Sequence, residues 1–252
     1  MYAWKCWRET RASFIFLLMM STAVALLITL APGLTEQNGW WHFDRGEYLR
    51  NPWPTAQMVT IQVLSSLGAM GFLSALFFGA TAPGSELESG TIEYLWTRPR
   101  TRTSVTWTHW GVCLSEMLIV ALVPINLAAA LLGGLTRSWQ MPLLLLTPWI
   151  IFIVGVPMLG LTTLMTALRR SGKGGLLYTA GVVSVYVIVR QIVIVPLHLN
   201  PPTLFAGPLF WLWNNKPFVP LSAFPWGSLW RAVFLAVAFP LAAQYLLKRG
   251  EV

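Results

Sequence analysis

FIFLLMMSTAVALLITLA, residues 14–31, runs for eighteen residues without a charge. As an α-helix rising 1.5 Å per residue it would span about 27 Å, close to the ~30 Å hydrocarbon core of a bilayer. The stretch before it, MYAWKCWRETRAS, is basic and amphipathic and carries Lys5, Arg8 and Arg11. A cleaved signal peptide also begins this way, but its apolar core is normally shorter, at ~7–15 residues, and no small-x-small cleavage site follows here. The reading is an amphipathic N-terminal interfacial helix leading into an uncleaved first span.

Moving outward, five more apolar runs follow at 58–80, 110–132, 143–168, 175–196 and 229–247. The whole chain agrees: of 252 residues 56% are hydrophobic and only 10% charged, against roughly a quarter charged in a soluble domain. The fold expected is an all-α polytopic membrane protein, a single transmembrane domain over residues 1–252 with six transmembrane helices. The net charge of +8 does not point to nucleic acid, because the bases sit in short clusters beside apolar runs rather than on one soluble face. The N-terminus, the loops near 84–105 and 169–173 and the C-terminus hold Lys5, Arg8, Arg11, Arg98, Arg100, Arg102, Arg169, Arg170, Lys173, Lys248 and Arg249, eleven bases in all. The other side holds Arg45, Arg50, Arg137 and Lys216, with Arg231 at the border. Short loops rich in Lys and Arg stay cytoplasmic, so both termini are expected in the cytoplasm of a multi-pass plasma (inner) membrane protein. Tryptophans near the ends of runs, among them Trp4, Trp7, Trp107, Trp110, Trp226 and Trp230, suit the headgroup level.

Before the last span lies TLFAGPLFWLW, residues 203–213. Eleven residues do not cross as a helix. An external loop packed on the bundle and a shallow re-entrant segment both fit.

Polar residues inside the runs are few. Glu116 lies about two turns inside the third run, and Arg190 with Gln191 lies in the fifth. Ionisable groups in spans are costly and default to a functional reading, here a possible intramembrane pathway; pairing or snorkelling is the plainer alternative. Gly68, Gly71, Pro124, Pro148, Gly155, Pro157, Gly160 and Pro240 allow close helix approach and bending. Cys6 and Cys113 have no metal-ligand spacing, the histidines are scattered, and no metal site is expected. SGKGG at 171–175 lacks the upstream glycine and the hydroxyl of a phosphate loop, so no nucleotide site or cofactor is expected in this chain.

The most charged stretch is GSELESGTIEYLWTRPRTR, residues 84–102, which gathers three of nine acids and three of seventeen bases. Ser85-Glu86-Leu87-Glu88 has the S-x-x-E form of a capping box. Ile92, Leu95 and Trp96 fall on one face of a short helix, and Pro99 disfavours helix beyond Arg98. Position alone gives an interfacial helix with a basic end. The order of residues adds to this. ESGTIE followed by TRPRTR resembles the E-x-x-x-G-T-[LI]-E … P-x-[ST]-R segment between the second and third spans of permease (transmembrane) subunits of type-2 ABC exporters. The six spans, basic amphipathic start and apolar segment before the last span are similar to that family too. Where the family often carries a lysine on entering the third span, this chain has His109.

The resemblance implies that loop 84–105 is a coupling helix docking into a separate ATPase subunit, with Glu86, Glu88, Gly90, Thr91, Glu93, Arg98 and Arg102 at or near that contact. It further implies two ATPase copies that bind ATP and Mg, and a second permease chain forming a homodimer or a related heterodimer. The substrate is open, with hydrophobic or amphipathic cargo such as a drug, peptide or lipid-like molecule suiting the apolar spans. A different class also fits: a membrane regulatory or assembly protein that binds a cytoplasmic ATPase and moves nothing. A membrane-embedded enzyme fits least, since no pair of polar residues at matching depth suggests catalysis.

Overall fold

A computed structural model describes residues 2–30, 66–81, 88, 102–132, 140–189 and 226–249. Among these the elements are six α-helices and no strand. They are α1 (Tyr2–Leu30), α2 (Ser66–Thr81), α3 (Arg102–Leu132), α4 (Gln140–Arg169), α5 (Gly172–Val189) and α6 (Trp226–Arg249). Four carry segments long and apolar enough to cross a membrane: Ala3–Thr29, Ser104–Ala128, Pro148–Arg169 and Trp226–Leu247. The expected second and fifth spans are described only over α2 and α5. The segment 197–225 lies outside the described residues.

Two buried layers join the first four helices. Ala25 and Ile28 of α1, Leu67 of α2, Ala121, Ile125 and Ala128 of α3, and Ile150, Ile151 and Val154 of α4 make one. Leu17, Ala75, Phe78, Trp110, Cys113, Met117, Val120, Met158 and Leu159 make the other. A third contact sets Ala167 of α4 against Ala243 and Leu247 of α6. These pairings fix the directions. α1 and α3 run parallel, α2 and α4 run against them, and α6 runs with α4. The starts of α1, α3 and α5 therefore share one end of the bundle with the finishes of α2, α4 and α6. Helix directions alternate along the chain, as successive membrane crossings require.

Lipid supplies no hydrophobic drive between helices, so close backbone approach has to come from small residues. Gly79 is one such case: a Cβ there would lie 2.7 Å from the Leu159 carbonyl oxygen and 2.6 Å from Thr162 Cβ. Gly160 meets the α6 proline, with Phe239 Cβ and Pro240 Cδ at 2.9 and 3.3 Å from its would-be Cβ. Two residues expected to permit close packing thus meet each other. Several buried hydroxyls return their hydrogens to their own helix: Ser21 to Leu17 O (2.7 Å), Thr162 to Met158 O (2.9 Å), Thr163 to Leu159 O (2.8 Å). This is how a span tolerates them. The outward faces remain apolar, with Leu177 of α5 and Phe234 of α6 each 71% exposed, as a lipid-facing surface would be.

Three expectations need correction. The basic N-terminal stretch is not a separate interfacial helix; it continues unbroken into α1, whose 29 residues extend about 43 Å and match a bilayer with its headgroups. Nothing at Arg11–Ala12–Ser13 breaks a helix, so propagation through it is favoured. The third helix starts at Arg102, not near 110, so Arg102 and the end of the expected 84–105 loop belong to α3. Glu116 is fourteen residues, about 21 Å, beyond the helix start and still about two turns inside the apolar run. Trp110 is no headgroup anchor either, being 4% exposed and packed in the second layer. Trp4 and Trp107 at one end and Trp226 and Trp230 at the other do stay exposed.

Candidate functional site

Two polar constellations stand out in this apolar frame, one at the shared end of the bundle and one between α1 and α3. The first joins distant parts of the sequence. Between α4 and α5 the chain turns in two residues. Arg170 takes a left-handed φ of 51°, the conformation that closes many helices. Ser171 then caps α5: its hydroxyl oxygen accepts from the Gly174 amide (3.2 Å), and its carbonyl accepts from Gly175 N (2.8 Å). Glu88, from the charged loop, completes the cap. Its carboxylate accepts from the Ser171 hydroxyl at 2.7 Å and from the Gly172 amide at 2.9 Å. Residues more than eighty positions apart are held together by one side chain. A carboxylate also belongs electrostatically at a helix N-terminus.

Glu88 is exposed, and its pKa lies below the ordinary value. The Ser171 hydroxyl is the main cause; partial desolvation opposes it, and the Lys173 and Gly172 amides and the Lys173 charge add to the lowering. A depressed carboxyl pKa gives stability that is present above the unfolded value and lost as pH falls through the folded one. The cap is therefore expected intact at neutral pH and lost on the acid side of the usual carboxylate range. Protection of the amides at 171–175, taken against their intrinsic exchange rates at each pH, should fall there, and Glu88→Gln should bring that loss of protection to neutral pH; equal protection in the variant would show that the carboxylate does not hold the turn. Beside the cap, Arg169 lies over the Tyr178 ring at 3.6 Å.

The second constellation lies between the parallel helices α1 and α3. Positions 6, 9 and 10 of α1 share a helical face, as do 109, 113 and 116 of α3, and these faces meet. His109 Nε2 stands 3.9 Å from Glu9 Oε2, and Glu9 lies 3.7 Å from Lys5 Nζ. So the residue standing where the resembled family carries lysine is turned into the α1 contact, buried. Deeper, Thr10 Oγ1 and Glu116 Oε1 are 2.6 Å apart. Glu116 is 3% exposed, and among the described residues its Oε2 has no hydrogen-bond partner. Cys6 and Cys113 pack around this pair, fully buried.

Of the site residues expected from sequence, Glu88, Arg102 and Glu116 are described. The structure does not bring them together: Glu88 and Arg102 sit at the bundle end and Glu116 inside it. Glu86, Gly90, Thr91, Glu93, Arg98, Arg190 and Gln191 lie outside the described residues. Sequence reasoning missed Ser171 and Thr10. A serine between two apolar runs is a recognisable N-cap signal, so Ser171 was findable; Thr10, on a helix face with no distinguishing neighbour, was not. Among the described residues no group of His, Cys, Asp and Glu is placed to hold a metal. Comparison with family models, curated proteins and solved structures gives no match for this chain.

Proposed function

We propose that this chain is the membrane-spanning subunit of an ATP-driven exporter of the type-2 ABC class, crossing the plasma membrane six times with both termini in the cytoplasm. One observation carries the reading. The loop bearing E…G-T-I-E…R-P…R is fastened through Glu88 to the start of α5, at the bundle end where six helix termini meet. A force applied to that loop reaches α2 and α3 through the chain and α4–α5 through the cap. This is the arrangement a docking element needs if a partner's motion is to swing whole helices as rigid bodies.

In this reading ATP and Mg bind to two copies of a separate ATPase subunit, and the cargo passes between this chain and a second permease chain. Gly90, Thr91 and Glu93 face the ATPase, along with Glu86. Glu88 serves the chain's own cap, while Arg98 and Arg102 hold the loop at the headgroups or against acids of the partner. Positive bases clustered at this end support its cytoplasmic placement.

Copurification from native membranes tests the reading. A stoichiometric phosphate-loop ATPase is expected with the wild-type chain, and Gly90→Trp combined with Glu93→Arg should release it and abolish cellular export activity. If no ATPase accompanies the chain and the double variant keeps its cellular activity, the coupling role is wrong. An ATPase whose turnover depends on the loop, without any transported solute, would instead identify a regulatory membrane protein.

A further inference from the structure

We propose that the α1–α3 interface is a proton-binding site, with the proton held on the Glu116 carboxyl and donated in a hydrogen bond to the Thr10 hydroxyl oxygen. The argument is a count of hydrogens and does not depend on the transport reading. Thr10 Oγ1 approaches three oxygens: Glu116 Oε1 at 2.6 Å, Cys6 O at 3.2 Å and Trp7 O at 3.3 Å. A hydroxyl has one hydrogen to give. If Glu116 were ionised, Thr10 would turn that hydrogen to the carboxylate and leave its own helix carbonyls. Oε2 would then carry charge with no donor in reach among the described residues, inside a bundle where the residue is 3% exposed. Burying an unpaired carboxylate is the most expensive arrangement available to this side chain.

A proton on Glu116 removes the conflict. The carboxyl donates to Thr10 Oγ1, and Thr10 donates onward to Cys6 O in the back-bond typical of a helical threonine. The 2.6 Å separation lies within the range of an O–H···O bond in either direction, so the assignment rests on the second carboxylate oxygen and not on this length. On release the proton passes to water, and the Thr10 hydrogen swings from Cys6 O to Glu116 Oε1. No basic side chain among the described residues stands within ion-pair distance of Glu116 to take the proton's place. The titratable groups facing it are the Cys113 thiol on its own helix and the Cys6 thiol on α1. Glu9 and His109 lie further towards the bundle end along the same seam, Glu9 itself beside Lys5, while the α2 and α4 residues packed about the neighbouring Met117, among them Ala75, Phe78, Gly155 and Leu159, carry no charge. The α1–α3 hydrogen bond thus survives in both states with its donor reversed, and what the proton removes is the uncompensated charge on Oε2.

Infrared spectroscopy of the purified full chain in lipid nanodiscs tests this. At neutral pH the wild-type spectrum should contain the carbonyl band of a protonated acid that is lost in Glu116→Gln and fades in alkali. Thr10→Val, which takes away the acceptor, should shift that band to higher wavenumber, and it stands as an independent test should the glutamine variant fail to fold. The proposal is overturned if no Glu116-dependent band exists at neutral pH. It is equally overturned if the band appears only when sodium and potassium are withheld, since a cation would then be the resident.

Discussion

Gly79→Leu should be among the most damaging substitutions in the bundle. The new side chain would begin at a Cβ 2.7 Å from the Leu159 carbonyl oxygen, and a backbone atom on a packed helix cannot rotate away. The crossing also carries a weak polar bond from Thr166 Oγ1 to the Gly79 carbonyl at 3.5 Å, which separation would break. Overpacking a core costs typically ~1–3 kcal/mol, and the upper end is expected because backbone rather than side chain must yield. Thermal unfolding of the purified chain in detergent should show a large fall in the midpoint for leucine and a smaller one for alanine. A leucine variant that melts like wild type would mean that α2 and α4 do not meet at this glycine. The consequence reaches function, since Gly79 lies five residues before the charged loop, and moving α2 moves the loop.

Phe78→Ala, one residue earlier, should destabilise by the opposite route. Among the described residues Phe78 is the largest side chain with no exposed surface, packed with Trp110, Cys113, Met117 and Leu159 where α2, α3 and α4 converge. Its main-chain carbonyl also accepts a weak bond from the Cys113 thiol at 3.7 Å, tying backbone and core at one point. Truncating a buried phenylalanine costs about 3–5 kcal/mol, part of it the void left behind. Phe78→Leu should recover most of the loss. If alanine is tolerated as well as leucine, the layer is not packed as described. The pair is informative together because one variant forces helices apart and its neighbour leaves their spacing intact around a hole.

Most of this fold was written in the apolar runs, and the reason is plain: a bilayer demands internally bonded helices of set length. The runs at 143–168 and 229–247 fall within α4 and α6 nearly end to end. The failures came where apolarity is not the deciding quantity. Helix does not stop where charge begins, so α1 and α3 extend back through Arg8, Arg11 and Thr103 into polar sequence. Gly79 is missing from the small residues that the sequence singles out, because nothing local says which glycine faces a neighbour's backbone. The site was half legible. Glu88 and Glu116 drew notice as rare acids, but a carboxylate's partners are set by tertiary packing. Ser171 lies 83 residues from Glu88 and Thr10 lies 106 from Glu116, separations that no periodicity reports.

The burial of both thiols has a practical meaning. Cys6 and Cys113 are the chain's two cysteines, and each has no exposed surface. The wild-type sequence is therefore already a quiet background for thiol-reactive probes, without the replacements that usually precede such work. A cysteine introduced at Gly90 or at Gly227 would be the one reactive site, and a membrane-impermeant maleimide added from one side or the other would read the sidedness of each end of the bundle directly.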